Sequence, residues 1–515
     1  MAPLYAKPRP AGRRAPTWPV RRTGYHARVI QTAHTFFWHD YETFGADARR
    51  DRPAQFAGLR TDAQLNPIGE PLIAYCRPSP DYLPDPESCL ITGITPQTCL
   101  DRGVSERIFA ESILAELERP GTVGVGYNSI RFDDEFTRHL LWRNLLDPYG
   151  REWRNGCGRW DLLDVVRMAW ALRPQGIEWP RHPDGRPSFR LEDLTAANGL
   201  AHAQAHDAMS DVLATVAVAR LIRQRQPRLF DYAFGLHRRE RVMQVLGLPA
   251  LAGQARPFVH VSGQFSTERG CLAVMWPLAS HPSNRNELLA WDLAHDPREL
   301  IDLRPEEARL RLFTRQADLP EGVRRLPLKS IHLNRSPMVV SNPAVLQDGA
   351  AERFGLDWGL IVRHAAYAAG LPDLGALWAA LFGRHSPSGA ADVDGALYDG
   401  FVGDEDRRRL ARLRQLDPAD PAWQRAGFDD PRLPELVFRF RARNHPESLR
   451  DDERLRWREH CRARLMEGTG GFAPLPAYLE RLDALAEGAV ERGDERARAI
   501  LADLMDYATL LAPKE

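Results

Sequence analysis

Between residues 35 and 226 strand-like segments come first and helical segments last, an order that restricts this region to an α/β layer with helices closing over a sheet. The short apolar run Thr35–Trp38 leads directly into Asp40-Tyr41-Glu42. Strand-like stretches follow at Gln55–Asp62 and Pro71–Cys76, with the turn residues Asn66-Pro67 and Ile68-Gly69 between them. Ser105–Leu117 has helical apolar spacing, and Thr122–Gly126 reads as a buried strand opening into Asn128. Helical patterns then cover Asp134–Leu146 and Leu162–Leu172. The last helix, Asp207–Arg223, is expected to carry Met209, Val212, Leu213, Val216 and Leu221 on one face.

A chain of 515 residues exceeds one ordinary core, so several domains are expected. Residues from about 228 to 382 mix helix with short apolar runs at Phe258–Val261, Leu272–Met275, Leu288–Leu293, Ser330–Leu333 and Met338–Val340, which predicts a small β-rich domain. The turn-rich stretch from Gly383 marks a boundary. From Asp394 onward the pattern is helical and highly charged, with Leu410, Leu413, Leu436, Phe440, Leu455, Leu465 and Tyr478 as expected buried positions. The expected divisions are a basic tail 1–34, then 35–226, 227–384 and 385–515.

Net charge is zero but unevenly placed: residues 1–34 hold seven Lys/Arg and no acid, which leaves the remainder at −7. The tail also contains Pro3, Pro8, Pro10, Pro16 and Pro19, and it cannot bury enough apolar surface to fold. It reads as a disordered segment or, alternatively, as a basic arm for nucleic acid. It is Arg-rich like a transit peptide, but it lacks the apolar stretch of a secretion signal. Six scattered cysteines, with no C-x-x-C pair, point to reduced thiols and a cytoplasmic setting. No run approaches the about 18 apolar residues of a membrane span.

Alternate strand residues share a face, so Asp40 and Glu42 stand side by side. Taken alone, this pair reads first as a solvated strand end. In Gly126-Tyr-Asn-Ser-Ile-Arg-Phe-Asp133-Asp134-Glu135 a strand passes through an asparagine turn into a helix. Asp133 there is either a helix cap or, if Asp134 or Glu135 caps instead, free for other work. His206 lies just before the last helix and Asp211 one turn inside it, with Asp207 as a natural N-cap. Clustered carboxylates repel one another unless a cation joins them, and oxygen-only ligation suits magnesium or manganese. Two such ions favour phosphodiester hydrolysis, and a nearby histidine can take a proton from water.

The ordered set Asp40, Glu42, Asp133, His206 and Asp211 resembles the DEDDh exonuclease superfamily. Longer strings are similar to the bacterial exodeoxyribonuclease I family: His39-Asp-Tyr-Glu-Thr-Phe-Gly, Leu90-Ile-Thr-Gly-Ile-Thr-Pro-Gln, Tyr127-Asn-Ser-Ile-Arg-Phe-Asp-Asp-Glu, Arg159-Trp-Asp-Leu-Leu-Asp-Val, Val259-His-Val-Ser-Gly and Tyr398-Asp-Gly-Phe. The resemblance runs from about residue 35 nearly to the C-terminus and leaves out the basic tail. It implies an RNase H-like exonuclease domain, an SH3-like β-rich domain and an α-helical C-terminal domain closing around single-stranded DNA. It implies 3′→5′ removal of 5′-mononucleotides, processively, in DNA repair and recombination. Asp40, Glu42 and Asp211 are expected to hold two Mg²⁺ ions, which Mn²⁺ can replace, with Asp133 completing the set and His206 as general base.

The same resemblance gives Phe189 and Arg190 the terminal nucleotide, by stacking and phosphate binding, with Glu42 also meeting substrate. It assigns further strand contacts to Arg138, Tyr149, Trp153, Arg167, Asn286 and Lys329. Structural readings stand beside these: Trp153 as core, Arg167 paired with an acid, Asn286 and Lys329 as solvated surface. Arg173 and Tyr232 match positions that dock the acidic, Phe-ended C-terminal tail of the single-strand DNA-binding protein. Serine stands where glutamine is usual around Pro337–Asn342, which leaves the details of that docking open. A monomer is expected. The competing functions are an RNA-trimming enzyme of the same superfamily and a non-catalytic single-strand-binding module.

Overall fold

The computed structural model describes residues 34–201, 207–249, 255–346, 349–383 and 392–513. The expected tail 1–34 therefore lies outside the described residues except for His34, as does His206. The first sheet has the order β3-β2-β1-β4-β5, formed by β1 (Thr35–Thr43), β2 (Pro53–Thr61), β3 (Leu72–Tyr75), β4 (Thr122–Gly126) and β5 (Gly158–Asp161). β1 pairs antiparallel with β2 and parallel with β4. The strand carries both Asp40 and Glu42, as their alternate spacing predicts. Pairing of Asp40 with Ala57 and of Glu42 with Gln55 carries it to Thr43, and a bulge in β2 follows, because Thr43 pairs with Pro53.

Side-chain alternation divides the two faces of β1. Phe36 and Trp38 join the core beneath the helices Leu162–Leu172 and Ala208–Arg225, whereas Phe37 and Tyr41 pack with Phe109 and Ile113 of the helix Glu106–Leu117. The buried stripe of Ala208–Arg225 runs through Val212, Val216, Ala219 and Ile222. Leu213 lies off that stripe and is 50% exposed, against expectation.

The second sheet is wholly antiparallel, with the order β10-β6-β7-β8-β9. Its strands are β6 (Phe258–Val261), β7 (Leu272–Ser280), β8 (Glu287–Asp292), β9 (Leu328–His332) and β10 (Met338–Val340). The helices Leu162–Leu172 and Trp358–Ala369 pack on it, so one apolar core runs from Phe36 and Trp160 through Val259 and Trp291 to Leu381. The helix Pro227–Gly235 seals the seam, with Phe230 and Phe234 meeting Trp160 edge-on at 5.2 and 5.3 Å.

The C-terminal helices grip the first domain at two places. The hairpin Leu475–Arg492 and Glu495–Leu511 packs Leu482 and Leu504 against Phe44, Tyr82, Cys89 and Cys99. Leu410, Leu436 and Phe440 close on Trp142 and Leu145. Leu455 is 50% exposed rather than buried, because the inward stripe of the helix Asp451–Glu467 runs through Glu453, Trp457, Arg464 and Leu465.

Between these two contacts lies a buried ionic knot. Asp81 accepts from Arg443 Nη2 at 2.7 Å and Arg464 Nη1 at 2.8 Å, and Asp394 accepts from Arg443 Nη2 at 2.5 Å and Arg52 Nη2 at 3.2 Å. Arg52 and Asp81 belong to the first domain, and the other partners lie after residue 391. Burial alone would push both aspartates up, but Arg443 and Arg464 override it and hold both carboxyls well below the usual range. Both aspartates titrate lower than in the unfolded chain. Their stabilisation is therefore complete above about pH 4 and is lost as pH falls through their native values. Asp394→Ala, which strands the buried arginines, is expected to cost about 3–5 kcal/mol in urea unfolding and to flatten the acid-unfolding curve below about pH 4.

Candidate active site

Four carboxylates converge where β1 leaves its parallel partner. Asp40 and Glu42 share the face of β1 that carries Phe36 and Trp38, and Ala208–Arg225 crosses that face. Asp207 caps this helix by accepting from Ser210 N at 3.1 Å, which sets Asp211 in its first turn. Ligand oxygens of Asp40, Glu42 and Asp211 all lie within 4.8 Å of one another.

Asp133 arrives from the other side. Pairing of β1 with β4 ends at Trp38–Val125, and Asp133 Oδ1 accepts the next free amide, Tyr41 N, at 3.1 Å. Asp133 is therefore bound to β1 and does not cap its own helix, Asp133–Arg143, whose N-cap Phe132 makes no side-chain capping bond. The two neighbours offered as caps do other things. Asp134 is buried against Arg151 at 2.6 Å and Arg159 at 3.2 Å, and Glu135 binds Arg138 at 2.9 Å and the hydroxyl of Tyr398.

Burial, followed by the charges of Asp133, Glu42 and Asp211, raises Asp40 well above the carboxylate range. Burial with Asp211 and Asp207 pushes Glu42 up to about 8. Burial also raises Asp133 well above its usual value, with Asp134 adding to the effect. Such a group cannot be fully ionised near neutral pH without a cation, and its all-oxygen donors fit a hard divalent metal.

The expected strand contacts fall into separate places. Arg138, Tyr149, Trp153 and Asn286 line one cleft of about 1340 Å³. Trp153 is 64% exposed rather than core, with Arg154 over its ring at 5.2 Å. Arg138 is buried, held by Glu152 at 2.7 and 2.9 Å, and its guanidinium lies 5.4 Å from the Tyr149 ring. Arg167 pairs with Asp164 at 2.7 Å, and its guanidinium lies so close to Gly263 that a Cβ there would be 2.6 Å from Cζ.

Lys329 places its ammonium 4.3 Å from the Phe265 ring centroid, where burial pushes it down to about 7 and the buried nitrogen has no hydrogen-bond partner. Phe189 is half-buried against Trp170 at 5.3 Å, while Arg190 is exposed beside Glu192 at 2.7 Å. Arg173 ends the helix Leu162–Leu172, and Tyr232 donates to Val339 O at 2.9 Å. Sequence reasoning passed over Asp161, a buried carboxyl raised to about 7 by burial and Asp164, which accepts from the amides of Asn128, Ile130 and Leu163. Those bonds set the turn that delivers Asp133; the only sequence signal is the polar residue that ends an otherwise apolar strand.

Residues 37–219 match the family model described as Exonuclease, 238–384 the Exonuclease I SH3-like domain and 391–511 the Exonuclease I C-terminal domain. Exodeoxyribonuclease I of Escherichia coli K12 is 42% identical over 477 residues, covering 92% of this chain and 97% of that protein. The Haemophilus influenzae enzyme is 42% identical over 450 residues, covering 87% and 93%. Similar solved structures include exonuclease I from Methylocaldum szegediense (46% identity, TM-score 0.85) and E. coli exonuclease I with a dA16 oligonucleotide (41%, 0.87); each match covers 93% of this chain and 100% of the other. A zinc-bound E. coli complex with single-stranded DNA is also similar (40%, 0.86), again over 93% and 100%. Three domain models matched in order, likeness over nearly the full length and a shared fold together place this chain in the exodeoxyribonuclease I family.

Proposed function

We propose that this protein hydrolyses single-stranded DNA from its 3′ end and releases 5′-mononucleotides. The observation that carries the reading is the convergence of Asp40, Glu42 and Asp211 within 4.8 Å, with Asp133 tied to the same strand. Asp40, Glu42 and Asp211 hold two Mg²⁺ ions in this reading, and Asp133 completes the anionic wall. Bound by these residues, the ions would supply the charge that lets the carboxylates ionise together and the electrophilic stabilisation that phosphodiester hydrolysis needs. His206, outside the described residues, takes the proton of the attacking water.

Phe189 stacks on the terminal base while Arg190 grips its phosphate. Trp153 and Tyr149 provide stacking faces farther along the strand. The desolvated Lys329 ammonium is suited to a phosphate, whose negative charge would restore its proton. Arg173 and Tyr232 dock the acidic, Phe-ended tail of single-strand DNA-binding protein. The protein acts as a monomer in cytoplasmic DNA repair and recombination, and its six cysteines are free thiols, five of them buried. Among the described residues no helix is long and apolar enough to cross a membrane.

Asp211→Ala is expected to abolish release of mononucleotides in Mg²⁺ while leaving oligonucleotide affinity in EDTA intact. Preserved hydrolysis would overturn the metal assignment, and faster loss of labelled RNA than of DNA would overturn the substrate. Because Glu42 keeps its proton up to about pH 8, metal must displace protons. Calorimetric Mg²⁺ affinity should therefore rise from pH 6.5 and level off above about 8, with proton release seen as a buffer-dependent heat. Lys329→Met should weaken strand binding about 10–100-fold, the worth of one charge-assisted hydrogen bond, without changing Mg²⁺ affinity.

A further inference from the structure

Phe189 and Arg190 lie at the end of a long connection. Between the helices Leu162–Leu172 and Leu191–Ala197 the chain forms neither helix nor strand, only an isolated bridge between Arg181 and Pro187. A stacking ring carried by such a segment is poorly placed unless something fastens its backbone. The connection partly fastens itself: Ser188 N donates to Pro180 O at 2.8 Å, and the Ser188 hydroxyl donates to Asp193 at 2.5 Å. The Phe189 ring rests edge-on against Trp170 at 5.3 Å. Trp170 is covered in turn by Arg353 at 4.9 Å and Phe354 at 5.3 Å, both from the SH3-like domain.

The tie to the first sheet comes from Tyr127, whose Oη donates to Phe189 O at 2.6 Å. Burial raises the pKa of this hydroxyl, so it remains a donor at any working pH. Tyr127 is the first residue beyond β4, and its neighbours build the turn that delivers Asp133. Gly126 pairs with Asp161, and the amides of Asn128 and Ile130 donate to the Asp161 carboxyl at 2.9 and 3.3 Å. Asn128 takes a left-handed conformation, with φ of 67°. One strand end therefore serves two purposes: the turn leads to a carboxylate bound to β1, and the tyrosine beside it holds the segment that carries Phe189.

We propose that Tyr127 is a positioning residue, whose hydroxyl holds the Phe189 backbone so that the ring meets the 3′-terminal base in fixed register with the carboxylates. The inference rests on the proposed stacking of Phe189 on that base. Without the donor, Phe189 O loses its partner and the ring its tie to the sheet, although no group that touches metal or phosphate has changed.

The test is release of the first nucleotide under single-turnover conditions, with enzyme in excess and Mg²⁺ present. Two oligo-dT substrates of about 12 nucleotides are compared, one ending in an ordinary 3′ thymidine and one in a 3′-terminal abasic nucleotide, which has no base to stack. Wild-type protein should require about 10-fold more enzyme for half-saturation on the abasic end. Tyr127→Phe keeps the ring packed against the core and removes only the donor. It should raise the half-saturating concentration about 3–10-fold on the ordinary end, the worth of one neutral hydrogen bond, and leave the abasic end unchanged. In a Phe189→Ala background the same change should add nothing, and calorimetric Mg²⁺ affinity should match wild type. No loss on the ordinary end, equal loss on both ends, or weakened Mg²⁺ affinity overturns the positioning role. If Phe189→Ala treats the two ends as wild type does, the stacking reading fails as well. If Phe189→Ala erases the difference between the ends and Tyr127→Phe does not narrow it, the role of Tyr127 falls alone.

Discussion

The active site depends on a conflict built into β1. A central strand in an α/β sheet is covered on both faces and favours apolar residues throughout, yet this strand passes from Phe36 and Trp38 to Asp40 and Glu42 on one face. The aromatic half fixes the strand beneath its helices with no rotational freedom. The acidic half inherits that rigidity together with the low dielectric that raises its pKa values. Position and discomfort have the same origin, and a divalent cation answers the second without disturbing the first.

The helix Asp133–Arg143 spreads this arrangement through the molecule. Asp133 reaches β1, Asp134 is clamped by Arg151 and Arg159, and Glu135 touches Tyr398 of the helical domain and Arg335 of the SH3-like domain at 3.6 Å. One turn later Arg138 supports the cleft through Glu152 and lies near the ring of Tyr149. Four neighbouring positions on one helix thus connect the carboxylates, the buried interior, the other two domains and the cleft. Its acidic first turn also suits the positive end of the helix dipole.

The elements of both sheets were legible wherever periodicity was unambiguous: Thr122–Gly126, Phe258–Val261 and Met338–Val340 coincide with β4, β6 and β10. The acidic end of β1 was legible through the alternate spacing of Asp40 and Glu42, whereas the pairing with β2 that keeps them extended was not. Leu213 and Leu455 were misplaced because each helix has a buried stripe whose phase is set by a neighbour that the sequence does not show. The carboxylates were found through their spacing. The bond from Tyr41 N to Asp133 was not, since it depends on where one ladder of hydrogen bonds stops. The Asp81–Asp394 knot was equally invisible, because Arg52 and Asp81 lie more than 300 residues from the partners they meet.

The continuous core beneath the two sheets bears on how such a chain can change over evolutionary time. The helix Leu162–Leu172 packs on one side against Ala208–Arg225, which covers β1 and β2, and on another against β6 and β10, so neither sheet owns it. Cutting the chain at residue 226 would expose the side of Leu162–Leu172 that now packs on β6 and β10. The SH3-like portion therefore cannot be exchanged like an appended module. Drift in one sheet must be matched in the other, and the two are inherited as a single mechanical piece.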